Sequence, residues 1–122
     1  MTATNQDVAM FSGDTRVLAF TITQAGGSTP VDLTGATAIK WKCARKLSGG
    51  FSSTVTLSKS LGAGITVTNA DAGQLQVLLS PADTAALSGR FYHELEITDV
   101  AGNVSTVAIG TLTIAKDLIT AT

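Results

Sequence analysis

Apolar and polar residues alternate with a period of two through most of this chain, which is the spacing of half-buried β-strands. The pattern is sharpest between residues 73 and 97. Residues 74–79 read as a strand, and Ser80-Pro81-Ala82-Asp83 then carries the marks of a helix start. Ser80 can cap free amides, Pro81 has no N–H to lose in a first turn, and Asp83 stands where a capping-box carboxylate belongs. Gly89 falls where a left-handed C-terminal cap is expected, so the helix is short, about residues 81–88. Over residues 90–98 the alternation returns. It puts Phe91, His93, Leu95 and Ile97 on one face and Tyr92, Glu94, Glu96 and Thr98 on the other. A strand, a short helix and a long strand in this order predict a crossover between two sheets.

The rest of the chain adds strands around that unit. Residues 1–6 are small and polar and predict a loose arm; residues 7–11 predict a short edge strand. Ser12-Gly13-Asp14 is a turn. Residues 15–23 form a strand whose core face is Leu18, Phe20 and Ile22, followed by a hairpin loop over 24–29. Pro30 to Leu33 is a short extended piece, and Thr34-Gly35 turns the chain. Residues 36–45 predict a strand with Ile39, Trp41 and Cys43 facing in and Lys40, Lys42 and Ala44 facing out. Trp41 is the only tryptophan and belongs at the centre of the core.

Residues 47–53, containing Gly49-Gly50, predict a loop; 54–59 a modest strand with Val55 and Leu57 on one face; 65–68 a short strand between turns at 61–64 and 69–73. Residues 99–103 read as a hairpin turn into a last strand over 104–115. There the alternation changes phase. Val107 and Ile109 share one parity and Leu112 and Ile114 the other, so a bulge at Gly110 would return all four to the core side. A C-terminal tail covers residues 116–122. Eight or nine strands with turn signals every ~8–12 residues predict one all-β domain over residues 1–122, an antiparallel sandwich. Its expected core is Phe20, Ile39, Trp41, Leu75, Val77, Leu95, Ile97, Ile109 and Leu112.

Composition narrows the function. Of the 122 residues, 44% are hydrophobic, enough for a single folded core. Only 14% are charged, against the roughly 25% usual for soluble domains, so the surface is rich in uncharged Thr, Ser, Gly and Ala. Such a surface suits packing against partners or copies. The net charge of −1 gives no electrostatic footprint for nucleic acid or an anionic membrane. Residues 1–7 lack the basic and apolar regions of a signal peptide, and no apolar run approaches a membrane span. Cys43 is the only cysteine, which rules out an internal disulfide and fits folding in a reducing cytoplasm.

The candidate chemistry is thin. His93 is the only histidine, and on its strand it shares the apolar face, so it reads as a core histidine rather than a base or ligand. Cys43 sits on the Trp41 face and reads as a small buried residue rather than a nucleophile. Nothing in the sequence puts Cys43 and His93 together as a dyad, and Cys and His alone cannot assemble a zinc site. Asp14, Asp32, Asp71, Asp83 and Asp99 all fall at turns or caps, where an Asp side chain bonds local amides. Glu94 and Glu96 face outward and can meet Lys40 and Lys42 across strands. The basic cluster Lys40, Lys42, Arg45 and Lys46 lacks a stacking platform, because Trp41 faces away from it. The sequence therefore predicts no catalytic, metal or cofactor site.

The order of these features resembles a known family. Gly13-Asp14-Thr15 opens a strand. Val31-Asp32-Leu33-Thr34-Gly35-Ala36 precedes the strand that carries Trp41. Gly73-Gln-Leu-Gln-Val leads to Leu79-Ser-Pro-Ala-Asp-Thr84, then Leu87-Ser-Gly89 and Tyr92-His-Glu-Leu-Glu, and Asp99-Val-Ala-Gly102 leads to Gly110-Thr-Leu-Thr-Ile114. Over roughly residues 7–117 this resembles the immunoglobulin-like β-sandwich domains of tailed-phage virion proteins, in particular the N-terminal domain of siphophage baseplate upper proteins. The resemblance implies a non-enzymatic virion structural protein, made in the host cytoplasm, that serves as an assembly or attachment module of the tail, baseplate or neck. Its implied partners are other virion proteins and copies of itself, with no nucleic acid and no membrane. The expected contact regions are residues 1–11 and 116–122. The alternatives are a head decoration protein and a carbohydrate-binding sandwich, for which Tyr92 is the best outward aromatic.

Overall fold

The computed structural model describes residues 4–24, 29–116 and 118. Nine strands and one short helix follow one another: β1 (Thr4–Asn5), β2 (Val8–Phe11), β3 (Arg16–Thr21), β4 (Ala38–Leu47), β5 (Gly50–Leu61), β6 (Gly64–Asn69), β7 (Gln74–Leu79), α1 (Pro81–Thr84), β8 (Gly89–Thr98) and β9 (Val104–Ala115). The hydrogen-bonded order is β1-β9-β8-β4-β5-β6-β7-β3, with β2 also on β9. The β3-β7-β6 part folds over the β9-β8-β4 part. Phe20 of β3 lies with its ring centre 6.5 Å from that of His93 on β8, so the inner faces of the two layers meet. The layers are joined at one corner, where β5 passes into β6 through Gly62 and Gly64. β7, α1 and β8 make the crossover that the sequence predicts.

The inner faces follow the alternation. Leu18, Phe20 and Ile22, then Ile39, Trp41 and Cys43, then Leu75, Val77 and Leu79, then Phe91, Leu95 and Ile97 enter one buried cluster. Trp41 is wholly buried at its centre, as the largest apolar side chain available requires. Eight of the nine expected core residues are buried; Ile109 is not.

That exception comes from the bulge, which lies at Val107 rather than Gly110. Leu95 faces Ala108 and Glu96 faces Thr106, so Val107 is the extra residue. Val107 and Ala108 are both buried, and from there the even positions Gly110, Leu112 and Ile114 point inward. Ile109 is left half-buried on the outer side. A bulge leaves one residue unpaired wherever it sits, and here that residue is a buried valine that adds its side chain to the core.

Three other expectations are corrected. Residues 47–53 are not a loop: β4 and β5 run out as one long hairpin, with Lys46 facing Phe51 and Leu47 facing Gly50. Val55 is exposed, while Leu57 packs against the core. The helix ends at Thr84, well before residue 88, so Gly89 opens β8 instead of capping the helix. Thr84 is buried, its hydroxyl accepts the Gly13 amide at 2.9 Å, and Leu87 turns back onto the core. These contacts draw the chain out of the helical path. The start of α1 is as expected. The Asp83 carboxylate accepts the Ser80 amide at 2.7 Å and pairs with Lys59 at 2.8 Å. Burial works to raise the Asp83 pKa, but the bonds from Lys59 and Ser80 outweigh it and hold the carboxyl below its usual range.

The arm expected over residues 1–6 is also not loose throughout. Thr4 and Asn5 form β1, parallel to β9, and Gln6 donates its amide to the Ile109 carbonyl at 2.7 Å. The expected edge strand over 7–11 is β2, on the same side of β9. The hairpin loop and the tail lie largely outside the described residues, at 25–28, 117 and 119–122.

Candidate functional site

β4 and β8 are antiparallel neighbours, and their register brings Cys43 opposite His93 and Trp41 opposite Leu95. His93 is wholly buried, and both its ring nitrogens are engaged. The Trp41 indole Nε1–H donates to His93 Nδ1 at 3.1 Å. The imidazole is therefore protonated on Nε2, which donates to the Gln6 carbonyl at 2.6 Å. Burial pushes the His93 pKa down, against the opposing pull of the Gln6 carbonyl and the Asp7 charge. The geometry agrees with that direction, since a proton on Nδ1 would face the indole N–H.

The Gln6 carbonyl reaches His93 by leaving the ladder. β1 and β2 share one register on β9, so Gln6 and Asp7 lie beside Gly110 and Thr111. In a regular parallel ladder the Gln6 carbonyl would accept the Thr111 amide. Here it turns inward, and the Asp7 carboxylate accepts that amide instead, at 2.9 Å. Gly110 makes the turn possible, because a Cβ there would overlap the Gln6 carbonyl oxygen. Gln6 thus fastens the N-terminal segment to the centre of the core through His93 and Trp41, while Asp7 holds the segment to Thr111 and Gly110 leaves the room.

Cys43 and His93, left unplaced by the sequence, do come together, but not as a dyad. Both imidazole nitrogens are committed elsewhere, so no lone pair remains to take the thiol proton. Burial pushes the Cys43 thiol up to about 11, the direction opposite to an activated nucleophile. Among the described residues, no three of His, Cys, Asp and Glu converge on a point that could hold a metal. Asp32 and Asp99 serve their own turns. Asp32 accepts the Thr34 amide and hydroxyl, and Asp99 accepts the Ala101 and Asn103 amides; these bonds lower both carboxyl pKa values.

The outer face of the same two strands carries charge. Lys40 faces Glu96 and Lys42 faces Glu94, as the alternation suggested. Lys59–Asp83 is nonetheless the one ion pair among the described residues, so these four charges stand as solvated neighbours. Beside them the Phe51 ring stacks on Tyr92, centres 4.5 Å apart and nearly parallel, and the Tyr92 hydroxyl donates to Glu94 at 3.2 Å. Ala44, between these two rings in the strand order, is buried despite its outward position. Sequence reasoning missed Phe51, because it placed that residue in a loop. It also missed the roles of Gln6, Asp7 and Gly110, which depend on a ladder between segments a hundred residues apart.

No protein-family model and no curated protein matches the sequence. Solved structures do. One is described as "crystal structure of chicken TCR for 2.0", with 10% identity, a TM-score of 0.59 and 96% of this chain covered. The fold is immunoglobulin-like. This chain spans 56% of that protein's length, so the likeness is one of fold alone.

Proposed function

We propose that this immunoglobulin-like domain is a non-enzymatic assembly module of a tailed-phage virion, in the tail, baseplate or neck. The observation that carries the assembly reading is the edge formed by β9 and the short strands β1 and β2, where pairing is built from a few residues with dedicated partners. Strand edges of this kind are natural templates for joining another chain. The phage assignment is supported by the ordered sequence motifs given above. His93 and Cys43, the two groups best suited to nucleophilic or base chemistry, are locked into the core, which supports a non-enzymatic role.

The test is size-exclusion chromatography with light scattering, on the chain alone and mixed with virion proteins from the same genome. The expected result is co-elution with a tail, baseplate or neck protein. Co-elution only with a capsid protein would move the assignment to head decoration, and no co-elution at all would overturn it.

A carbohydrate-binding reading is favoured by one observation, the exposed Phe51 ring stacked on Tyr92 beside Glu94 and Lys42. Trp41 is sealed in the core and offers no platform. Retention on a glycan surface that Phe51→Ala abolishes would establish this reading.

A further inference from the structure

β1 and β2 form their ladders with β9 alone, and a hinge at Ser12-Gly13-Asp14 joins them to β3. In that hinge Gly13 adopts φ 79° and the closing bond from the Asp14 amide to the Phe11 carbonyl is 3.3 Å, at the long end for N–H···O, while the Ser12 amide to the Ala115 carbonyl at 2.8 Å and the Gly13 amide to the Thr84 hydroxyl at 2.9 Å are the bonds that opening must release. Lifting the segment would uncover four specific vacancies: the edge of β9, the His93 Nε2–H, the Thr111 amide, and the place of the buried Met10 beside Ile114.

An arbitrary strand does not fill them. The occupant must run parallel to β9, turn one carbonyl inward over Gly110, follow it with an acceptor side chain for Thr111, and set an apolar residue three positions later. Residues 6, 7 and 10 meet these demands, and a second copy of this chain carries the same residues. Closed and exchanged forms then make the same contacts, differing only in the hinge and in concentration.

We propose that residues 4–11 are an exchangeable strand: in the assembled protein the segment of one copy occupies the β9 slot of a neighbouring copy. This deepens the assembly reading and rests on it.

Ala9 and Thr113 are register partners, with Ala9 exposed and Thr113 half-buried, so each can report the pairing. An Ala9→Cys chain and a separate Thr113→Cys chain are mixed at rising concentration, oxidised, and read by non-reducing electrophoresis and mass spectrometry. The expected result is a mixed disulfide dimer whose yield grows with concentration, together with dimer mass for the unsubstituted chain by light scattering. Placing the first cysteine at exposed Thr21 instead should cut the yield at least tenfold. Asp7→Ala in the first chain should leave the yield within about twofold, because closed and exchanged forms lose the same bond to Thr111, with tryptophan fluorescence verifying that both chains remain folded.

The proposal is overturned if the mixed dimer is absent, or if it forms equally well from Thr21→Cys. Absence of the mixed dimer in a chain that still co-elutes with virion proteins removes strand exchange and leaves the assembly reading standing. A mixed dimer that binds no virion protein would retain the exchange and remove the assignment to a virion.

Discussion

Two polar clusters lie on opposite faces of the same pair of strands, β4 and β8. On the outer face a row of two lysines, Lys40 and Lys42, faces a row of two glutamates, Glu96 and Glu94, at the solvent-facing surface. On the inner face stands a single neutral imidazole, His93, wholly buried with each nitrogen bonded. The outer cluster has four charges and little at stake, because water competes for every one of them. The inner cluster has no net charge and much at stake, because removing one partner leaves another buried without a bond. Burial, rather than the number of charges, decides which polar group organises the fold.

The largest break in that comparison comes from His93→Ala. It opens a cavity and strands the Trp41 N–H and the Gln6 carbonyl, so urea unfolding should show a loss of about 4 kcal/mol. Trp41→Phe keeps an aromatic ring but strips the donor, for an expected loss of about 2 kcal/mol. The two losses should fail to add by more than about 0.5 kcal/mol in a double-mutant cycle, since both remove one bond. Additive losses would show that the bond is energetically idle.

Acid sharpens the comparison next. The folded-state pKa of His93 lies below its unfolded value, so the unfolded chain binds the extra proton more readily. Stability is complete above the unfolded pKa, near 6.5, and falls as the pH drops from there toward the folded pKa, by at most about 1.4 kcal/mol per pH unit. The carboxylates Asp32, Asp83 and Asp99, with lowered pKa values, lose their contribution only at lower pH, below about 4. Unfolding midpoints between pH 7 and pH 5 should therefore decline in the native chain and stay flat in His93→Gln.

Asp7→Ala tests the fastening at a smaller scale. Its carboxylate stands in for a backbone carbonyl toward Thr111, and the loss should be about 1 kcal/mol, with faster hydrogen exchange at the Thr111 amide. The smallest effect belongs to the outer face. Lys42→Ala or Glu94→Ala should change stability by no more than about 0.5 kcal/mol, and less still in high salt. A loss above about 1 kcal/mol at Lys42 would show that the outer row is a network rather than four solvated charges.

The strands were legible because a period of two is a local property, written in neighbouring residues. Leu18, Phe20, Ile39, Trp41, Val77, Leu95 and Ile97 face the core for that reason alone, and the start of α1 could be read from Ser80 to Asp83 in the same way. Where local rules pointed astray, a distant contact had intervened. Gly110 looked like a bulge because the alternation changes phase around it, yet its missing side chain makes room for Gln6. The loop expected at Gly49-Gly50 fails for a nearer reason, because the β4–β5 hairpin keeps its pairing almost to the tip. His93 could be placed on the apolar face from the sequence, but its tautomer and partners could not.

By itself, then, the sequence determined the class of fold, most of the core and the place of the single tryptophan, because the side-chain period and turn residues act within a few positions. Only the tertiary structure decided that residues 4–11 lie along β9, that their ladder breaks at Gln6 to reach His93, and that Asp7 repairs the break. Those facts depend on which segments become neighbours across a hundred residues, and no local pattern carries that information.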